Sequence, residues 1–202
     1  MRRVLLALCC LFAISGCLTT GKRGGDTAIA TYDFGAAPAA LVPVPRKLPL
    51  AVEVRAPLWF DTLGIDYRLA YAEPARLREY AMSRWAGPPA LLIQQRMVQQ
   101  LALSMPGQSR TICVLRFDIS EFSQLFATPQ ASIAVLQGRL LLLDRGRRQV
   151  AEKDVDIRLP VEQPNAQGGV LGLTSAVNLL NRQILAWEGE WHKVETTRAC
   201  RA

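Results

Sequence analysis

The chain has 202 residues, half of them hydrophobic, with 24 Lys and Arg against 17 Asp and Glu for a formal net charge of +7. That length holds one domain with a sizeable core. The basic surplus is spread along the chain, and its densest cluster, Arg145, Arg147 and Arg148, has no aromatic interleaving. It therefore reads as a solvated surface rather than a nucleic-acid interface.

Met1-Arg2-Arg3 forms a positive n-region, and Val4 to Ile14 is an unbroken apolar run. As a helix that run is about 16 Å long, about half of a ~30 Å hydrocarbon core, so it fits the h-region of an export signal. Ile14-Ser15-Gly16-Cys17 then resembles the lipobox of bacterial lipoproteins. Small residues at Ser15 and Gly16 let an extended backbone enter a signal peptidase, and the Cys17 thiolate is the nucleophile that takes a diacylglycerol. The bland alternative is an ordinary signal peptide with an incidental cysteine. The lipobox reading makes residues 1–16 a signal peptide and leaves a mature chain starting at Cys17, with covalent N-acyl and S-diacylglycerol lipid and no other cofactor. Loss of Arg2 and Arg3 lowers the net charge to about +5. No later run approaches ~18 consecutive apolar residues, so no other segment is expected to cross a bilayer.

Residues 17–31 read as the lipidated cysteine and a tether, since Thr19-Thr20-Gly21-Lys22-Arg23-Gly24-Gly25 offers almost nothing to bury. A short strand is expected at Ala30 to Phe34, followed by a loose Ala- and Pro-rich stretch from Gly35 to Pro49. Val52, Val54, Ala56 and Leu58 alternate with charge, as do Ile65, Tyr67, Leu69 and Tyr71, giving two half-buried strands. Pro88 and Pro89 open a helix to about Ser104, with Ile93, Met97, Val98 and Leu101 on one face and Gln95, Arg96, Gln99 and Gln100 on the other. Strands are expected at about 111 to 120, 131 to 143 and 148 to 159, with Asp144-Arg145-Gly146-Arg147 as a hairpin turn. A last helix runs from about 171 to 187, with Leu173, Val177, Leu180 and Ile184 inward and Asn181 and Arg182 elsewhere on the surface. The expected fold is a single-domain α/β two-layer sandwich: a mostly antiparallel sheet of five to six strands with two main helices on one face. The domain is expected over 32–195, with a C-terminal tail at 196–202.

Once Cys9 and Cys10 leave with the signal and Cys17 is acylated, Cys113 and Cys200 remain. In an oxidising compartment two leftover thiols tend to pair, so a Cys113–Cys200 disulfide is favoured over a buried free thiol beside a tail cysteine. Two cysteines and one histidine are too few for a zinc site. His192 is isolated near the chain end, and Asp154 and Asp156 share the wet face of a strand with Glu152 and Arg158. Gly168-Gly169-Val170-Leu171-Gly172 lacks the Lys-Ser/Thr of a phosphate loop and is expected to make a turn before the last helix. No poised acid, base or nucleophile emerges, so the chain is read as non-enzymatic and metal-free.

Two aromatic segments resist a bland account. Trp85, in Tyr80-Ala81-Met82-Ser83-Arg84-Trp85-Ala86-Gly87-Pro88-Pro89, either staples the helix to the sheet or anchors a partner, with packing favoured. Glu121-Phe122-Ser123-Gln124-Leu125-Phe126 is expected to leave two Phe in a loop. Tyr80, Trp85, Phe122 and Phe126 are thus the candidate partner contacts.

These segments, taken in order with the lipobox at Cys17, the strand pair from Leu50 to Tyr71, the hairpin and the last helix, carry a family likeness over about residues 30 to 190. The chain resembles the ABC-type transport auxiliary lipoproteins, the group that includes the lipoprotein of the Pqi intermembrane transport system. The resemblance implies a periplasmic subunit tethered to the outer membrane. It would work with an ABC permease and ATPase and an MCE-domain protein, with contact to phospholipid left open. Leu18 after the cysteine agrees with outer-membrane sorting in such lipoproteins. The family supplies no catalytic residues to carry over. The rivals are a structural or assembly lipoprotein unrelated to transport and, last, an envelope-modifying enzyme.

Overall fold

The computed structural model describes residues 28–44, 46, 50–107, 111–193 and 195–200. Cys17, the signal segment and most of the tether lie outside the described residues.

Among the described residues, seven strands and two helices follow in the order β1 (Ala30–Tyr32), β2 (Leu50–Arg55), β3 (Gly64–Leu69), β4 (Glu73–Trp85), α1 (Pro89–Leu101), β5 (Cys113–Thr128), β6 (Ala131–Leu143), β7 (Gln149–Val161) and α2 (Ala166–Glu190). Short 3-10 segments, Trp191–Lys193 and Glu195–Cys200, close the described chain. The 16-residue β5 is the spine. One of its edges pairs antiparallel with β6, and β6 with β7. Its other edge is shared end to end. β2 runs parallel to the first part, from Leu50 opposite Cys113 to Arg55 opposite Asp118, and β3 runs parallel to the later part, with Tyr67 opposite Gln124. β4 lies antiparallel to β3, and β1 parallel to β4.

The sheet is therefore mixed, with three parallel and three antiparallel pairings, not mostly antiparallel with five to six strands. β2 and β3 cause the difference. They are two successive segments of one edge, running in the same direction and separated by the loop at 56–63, rather than a hairpin. A period-2 pattern carries facing but not direction.

Alternation sets the core. Cys113, Leu115, Phe117 and Ile119 face the helices, and a register shift between Ile119 and Glu121 brings Phe122, Gln124 and Phe126 onto that same face. Leu173, Val177, Leu180 and Ile184 of α2 pack there, with Ile93, Met97 and Leu101 of α1 beside them.

Three polar residues expected on helix surfaces are buried instead: Arg96, Gln100 and Asn181. They sit where the helices and the chain after β1 meet, and each has a partner. Arg96 Nη2 donates to the carbonyls of Phe34 and Gly35 at 2.5 and 2.8 Å, and Asn181 Nδ2 donates to Gln100 Oε1 at 2.5 Å. The segment after β1 crosses the end of α1, where Arg46 Nη1 donates to Leu101 O at 2.8 Å and the same guanidinium pairs with Glu188 of α2.

The glycines expected to form a turn are inside α2, which starts five residues earlier than its apolar stripe indicates. Asn165 caps it, its Oδ1 accepting from Gly168 N at 2.9 Å. A Cβ on Gly169 would lie 2.3 Å from Gln124 Oε1, and one on Gly172 2.8 Å from Val161 Cγ2, so these positions admit the helix to close contact with the sheet. At the other end Cys200 is bonded to Cys113 with the Cα atoms 5.6 Å apart, and Thr196 Oγ1 donates to Val150 O at 2.7 Å. Residues 196–200, expected as part of a tail, are thus tied to the starts of β5 and β7 through Cys200 and Thr196.

Candidate interaction surface

The four aromatics named as partner contacts lie on strands. Tyr80 and Trp85 are on β4, a strand the sequence reading missed, and Phe122 and Phe126 are on β5, not in a loop. Trp85 is 1% exposed. Its ring stands edge-on to Phe34 at 5.5 Å and stacks on Phe122 at 5.8 Å. Phe126 meets Tyr67 at 5.9 Å, and Tyr67 lies 4.6 Å from Tyr80. The Tyr80 hydroxyl donates to Gln124 Oε1 at 2.8 Å, and Gln124 Nε2 donates to Ser132 Oγ at 2.7 Å, a chain that satisfies a buried amide. Burial raises the Tyr80 pKa and keeps the phenol neutral. These rings hold the β1–β4–β3 part of the sheet to β5, which is the packing role.

The polar candidates are placed as plainly. Asp154 accepts from Arg139 Nε at 3.0 Å, and Asp156 from Arg158 Nε at 3.0 Å and Gln137 Nε2 at 3.0 Å, all on the wet face. Those hydrogen bonds lower the Asp156 pKa. They form a charged edge with no poised proton donor. His192 lies in the 3-10 segment after α2. Among the described residues no group of three or more His, Cys, Asp or Glu converges as a metal site.

One acid stands apart. Because Tyr67 and Gln124 face the helices, Asp66 points to the opposite face, opposite Glu79 in the β3–β4 register and on the side of Glu121. Glu121 is held by Arg68, with Nε to Oε1 at 3.2 Å and Nη2 to Oε2 at 3.1 Å, and accepts from Ser123 Oγ at 2.5 Å. Asp66 is 4% exposed, and its Oδ1 has no hydrogen-bond partner among the described residues. Burial first, then the charges of Glu79 and Glu121, push its pKa up to about 7. Alternation puts Asp66 on the wet face of β3 and cannot show that neighbours cover it.

What the surface offers is apolar contact. A groove of about 410 Å³ runs between the end of β7 and the start of α2, lined by Leu159, Pro160, Val161, Leu171 and Ser175 among others. A second, of about 290 Å³, lies on the other side of the same helix turn against Tyr32 and Phe34. Leu171, 62% exposed, is the ridge between them. Among the described residues the most exposed large apolar side chains are in the loop at 56–63, where Leu58 is 93% and Trp59 77% exposed. The alternation runs on through Leu58 with a strand end expected near Pro57, and the strand stops at Arg55.

Comparison with known proteins gives a consistent picture. The model of a family described as ABC-type transport auxiliary lipoprotein component matches residues 32–185. A crystal structure of a Xanthomonas campestris protein of the DUF330 family superposes with a TM-score of 0.65 at 18% identity, covering 78% of this chain and 94% of that one. A second crystal structure, of an uncharacterized protein, gives a TM-score of 0.64 at 14% identity over 80% and 99% of the two chains. At these identities the likeness is one of fold. No curated protein sequence matches the chain.

Proposed function

The chain belongs to the family of ABC-type transport auxiliary lipoprotein components, and from that membership we propose that it is a non-enzymatic docking subunit of an MCE/ABC-type intermembrane lipid transport system. It is acylated at Cys17 and held at the periplasmic face of the outer membrane. The observation that carries this reading is the family match at 32–185, which takes in almost the whole sheet and most of α2. The grooves flanking α2 are lined by apolar and neutral groups with few ionisable ones, as contact rather than chemistry requires. The domain needs no cofactor in this role beyond the lipid on Cys17.

The test is recovery of the tagged, full-length protein from native membranes with its partners identified by mass spectrometry. An MCE-domain protein and an ABC permease or ATPase are expected. Recovery of envelope-assembly proteins in their place would favour the structural rival, and recovery of neither transport component would end the transport reading. Catalytic turnover lost on changing Asp154 or His192 would revive an enzyme.

A further inference from the structure

The loop at 56–63 is a held knob rather than a loose connection. Phe60 N and Asp61 N both donate to Pro57 O, at 3.0 and 3.1 Å, and Phe60 is buried beneath them. Asp61 Oδ1 accepts from Ala90 N at the start of α1 at 3.2 Å, and Gly64 N donates to Thr62 Oγ1 at 3.1 Å. Leu63 O accepts from Trp85 N at 2.8 Å. With its base fixed at these points, the knob presents Leu58 and Trp59 to solvent, while Trp85, Trp187 and Trp191 are all buried. Between Arg55 and Arg68 there is no basic residue. With Arg55 and Arg84 at its base and none within it, this apolar tip suits the interfacial layer of a bilayer, where Trp is favoured.

The chain's own path brings such a layer within reach. Ala86 N donates to Tyr32 O at 2.7 Å, next to the Trp85–Leu63 bond, so β1 ends beside the base of the knob. The described chain begins at residue 28, two residues before β1. From Cys17 to residue 28 the chain can span at most about 40 Å. Resting on the lipoprotein reading with its anchor at Cys17, we propose that Leu58 and Trp59 insert into the interface of the bilayer that carries the anchor. The domain is then held at two points, and its orientation on the membrane is set by the knob.

The test uses the intact lipoprotein reconstituted into phosphatidylethanolamine–phosphatidylglycerol vesicles carrying lipid nitroxide-labelled near the top of the acyl chain. One Trp of four is within reach of the label, so about a quarter of the emission should be quenched. Trp59→Phe should abolish that fraction, and Leu58→Asp, which keeps the probe, should reduce it severalfold. High salt should leave it unchanged. Vesicle flotation and the mass of the Cys17 peptide report the anchor separately. Flotation and acyl mass without Trp59 quenching would overturn the insertion and leave the lipoprotein reading intact. An unacylated Cys17 with no flotation would overturn both. Protection of Trp59 that arises only when the transport partners are added would give the knob to a protein instead, and overturn the proposal.

Discussion

Asp66 and Ala102 are two residues where the folded chain holds a group in a state it would not choose alone. An unfolded Asp titrates near 4, and in the fold the Asp66 pKa is about 7. The native state therefore keeps a proton that the unfolded chain releases as pH rises from about 4 to 7. The stability this group confers is fully present below about pH 4 and is lost as pH climbs through 7. Each pKa unit carries about 1.4 kcal/mol. With water and neighbours relaxing around the ionised group, about 2 kcal/mol of difference is expected between wild type and Asp66→Asn across that window. Denaturant unfolding from pH 4.5 to 8 measures it: the two proteins should diverge with rising pH, Asp66→Asn being the more stable at pH 8. Parallel curves would show that Asp66 is solvated. Ala102 ends α1 in the left-handed conformation, φ 48° and ψ 42°, where an L side chain is strained and glycine is not. Ala102→Gly should gain about 0.5–1 kcal/mol, the relieved strain less the added entropy of the unfolded chain, read as a rise in Tm.

At the scale of elements, α2 comes into close contact with β5, and one glycine sets it. Gln124 is fully buried and fixed by Tyr80 and Ser132, so its amide cannot swing away from a new methyl at 2.3 Å without giving up a hydrogen bond. Gly169→Ala should cost about 1–3 kcal/mol in chemical denaturation. Gln124→Ala beside it should remove most of the clash, so the double mutant should be less unstable than the sum of the two singles. The disulfide acts between elements more distant in sequence. It closes a separation of 87 residues, and on chain-entropy grounds is worth up to about 4.6 kcal/mol. Cys113→Ser, or reduction, should lower the unfolding free energy by about 2–4 kcal/mol. Equal alkylation of both cysteines before and after reduction would show that no bond exists.

How much of these elements the sequence discloses depends on what buries each one. β5 to β7 and the stripe of α2 are legible because each has one face on the core and one wet, which writes a period into the residues. β4 writes none. From Glu73 to Met82 it is largely exposed along its length, and the apolar residue that fixes it, Trp85, comes last. The aromatics of β5 were misplaced because the register shift at Ile119/Glu121 breaks the alternation just before Phe122. Arg96, Gln100 and Asn181 look like surface residues because their burial comes from the neighbouring helix and the chain after β1, not from their own helix. The Leu58–Trp59 knob was hidden by an alternation that continues past the true strand end.

For the whole molecule, the question is what the anchor proposed at Cys17 would contribute that the fold does not. The described domain is closed without residue 17: its sheet, both helices and the disulfide are formed from residues 28 onward. None of its helices is long and apolar enough to cross a membrane. Membrane attachment and folding should thus be separable. Several acyl chains at about 0.8 kcal/mol per buried CH₂ hold a protein at a bilayer far more firmly than one. In the proposed arrangement the Leu58–Trp59 knob, with two side chains, would add orientation more than residence. Cys17→Ser should therefore move most of the protein out of the membrane fraction while leaving its Tm within about 1 °C of wild type, since it alters no group of the described domain. Doubling the segment between Cys17 and residue 28 should leave membrane retention intact. It should lower recovery of the transport partners only a few-fold, because the effective concentration of a tethered site falls as a weak power of tether length. Complete loss of partner recovery on lengthening, with retention unchanged, would instead mean that the tether is a ruler setting the height of the docking face. Unaltered membrane retention of Cys17→Ser would mean that the lipid is not what holds the protein there.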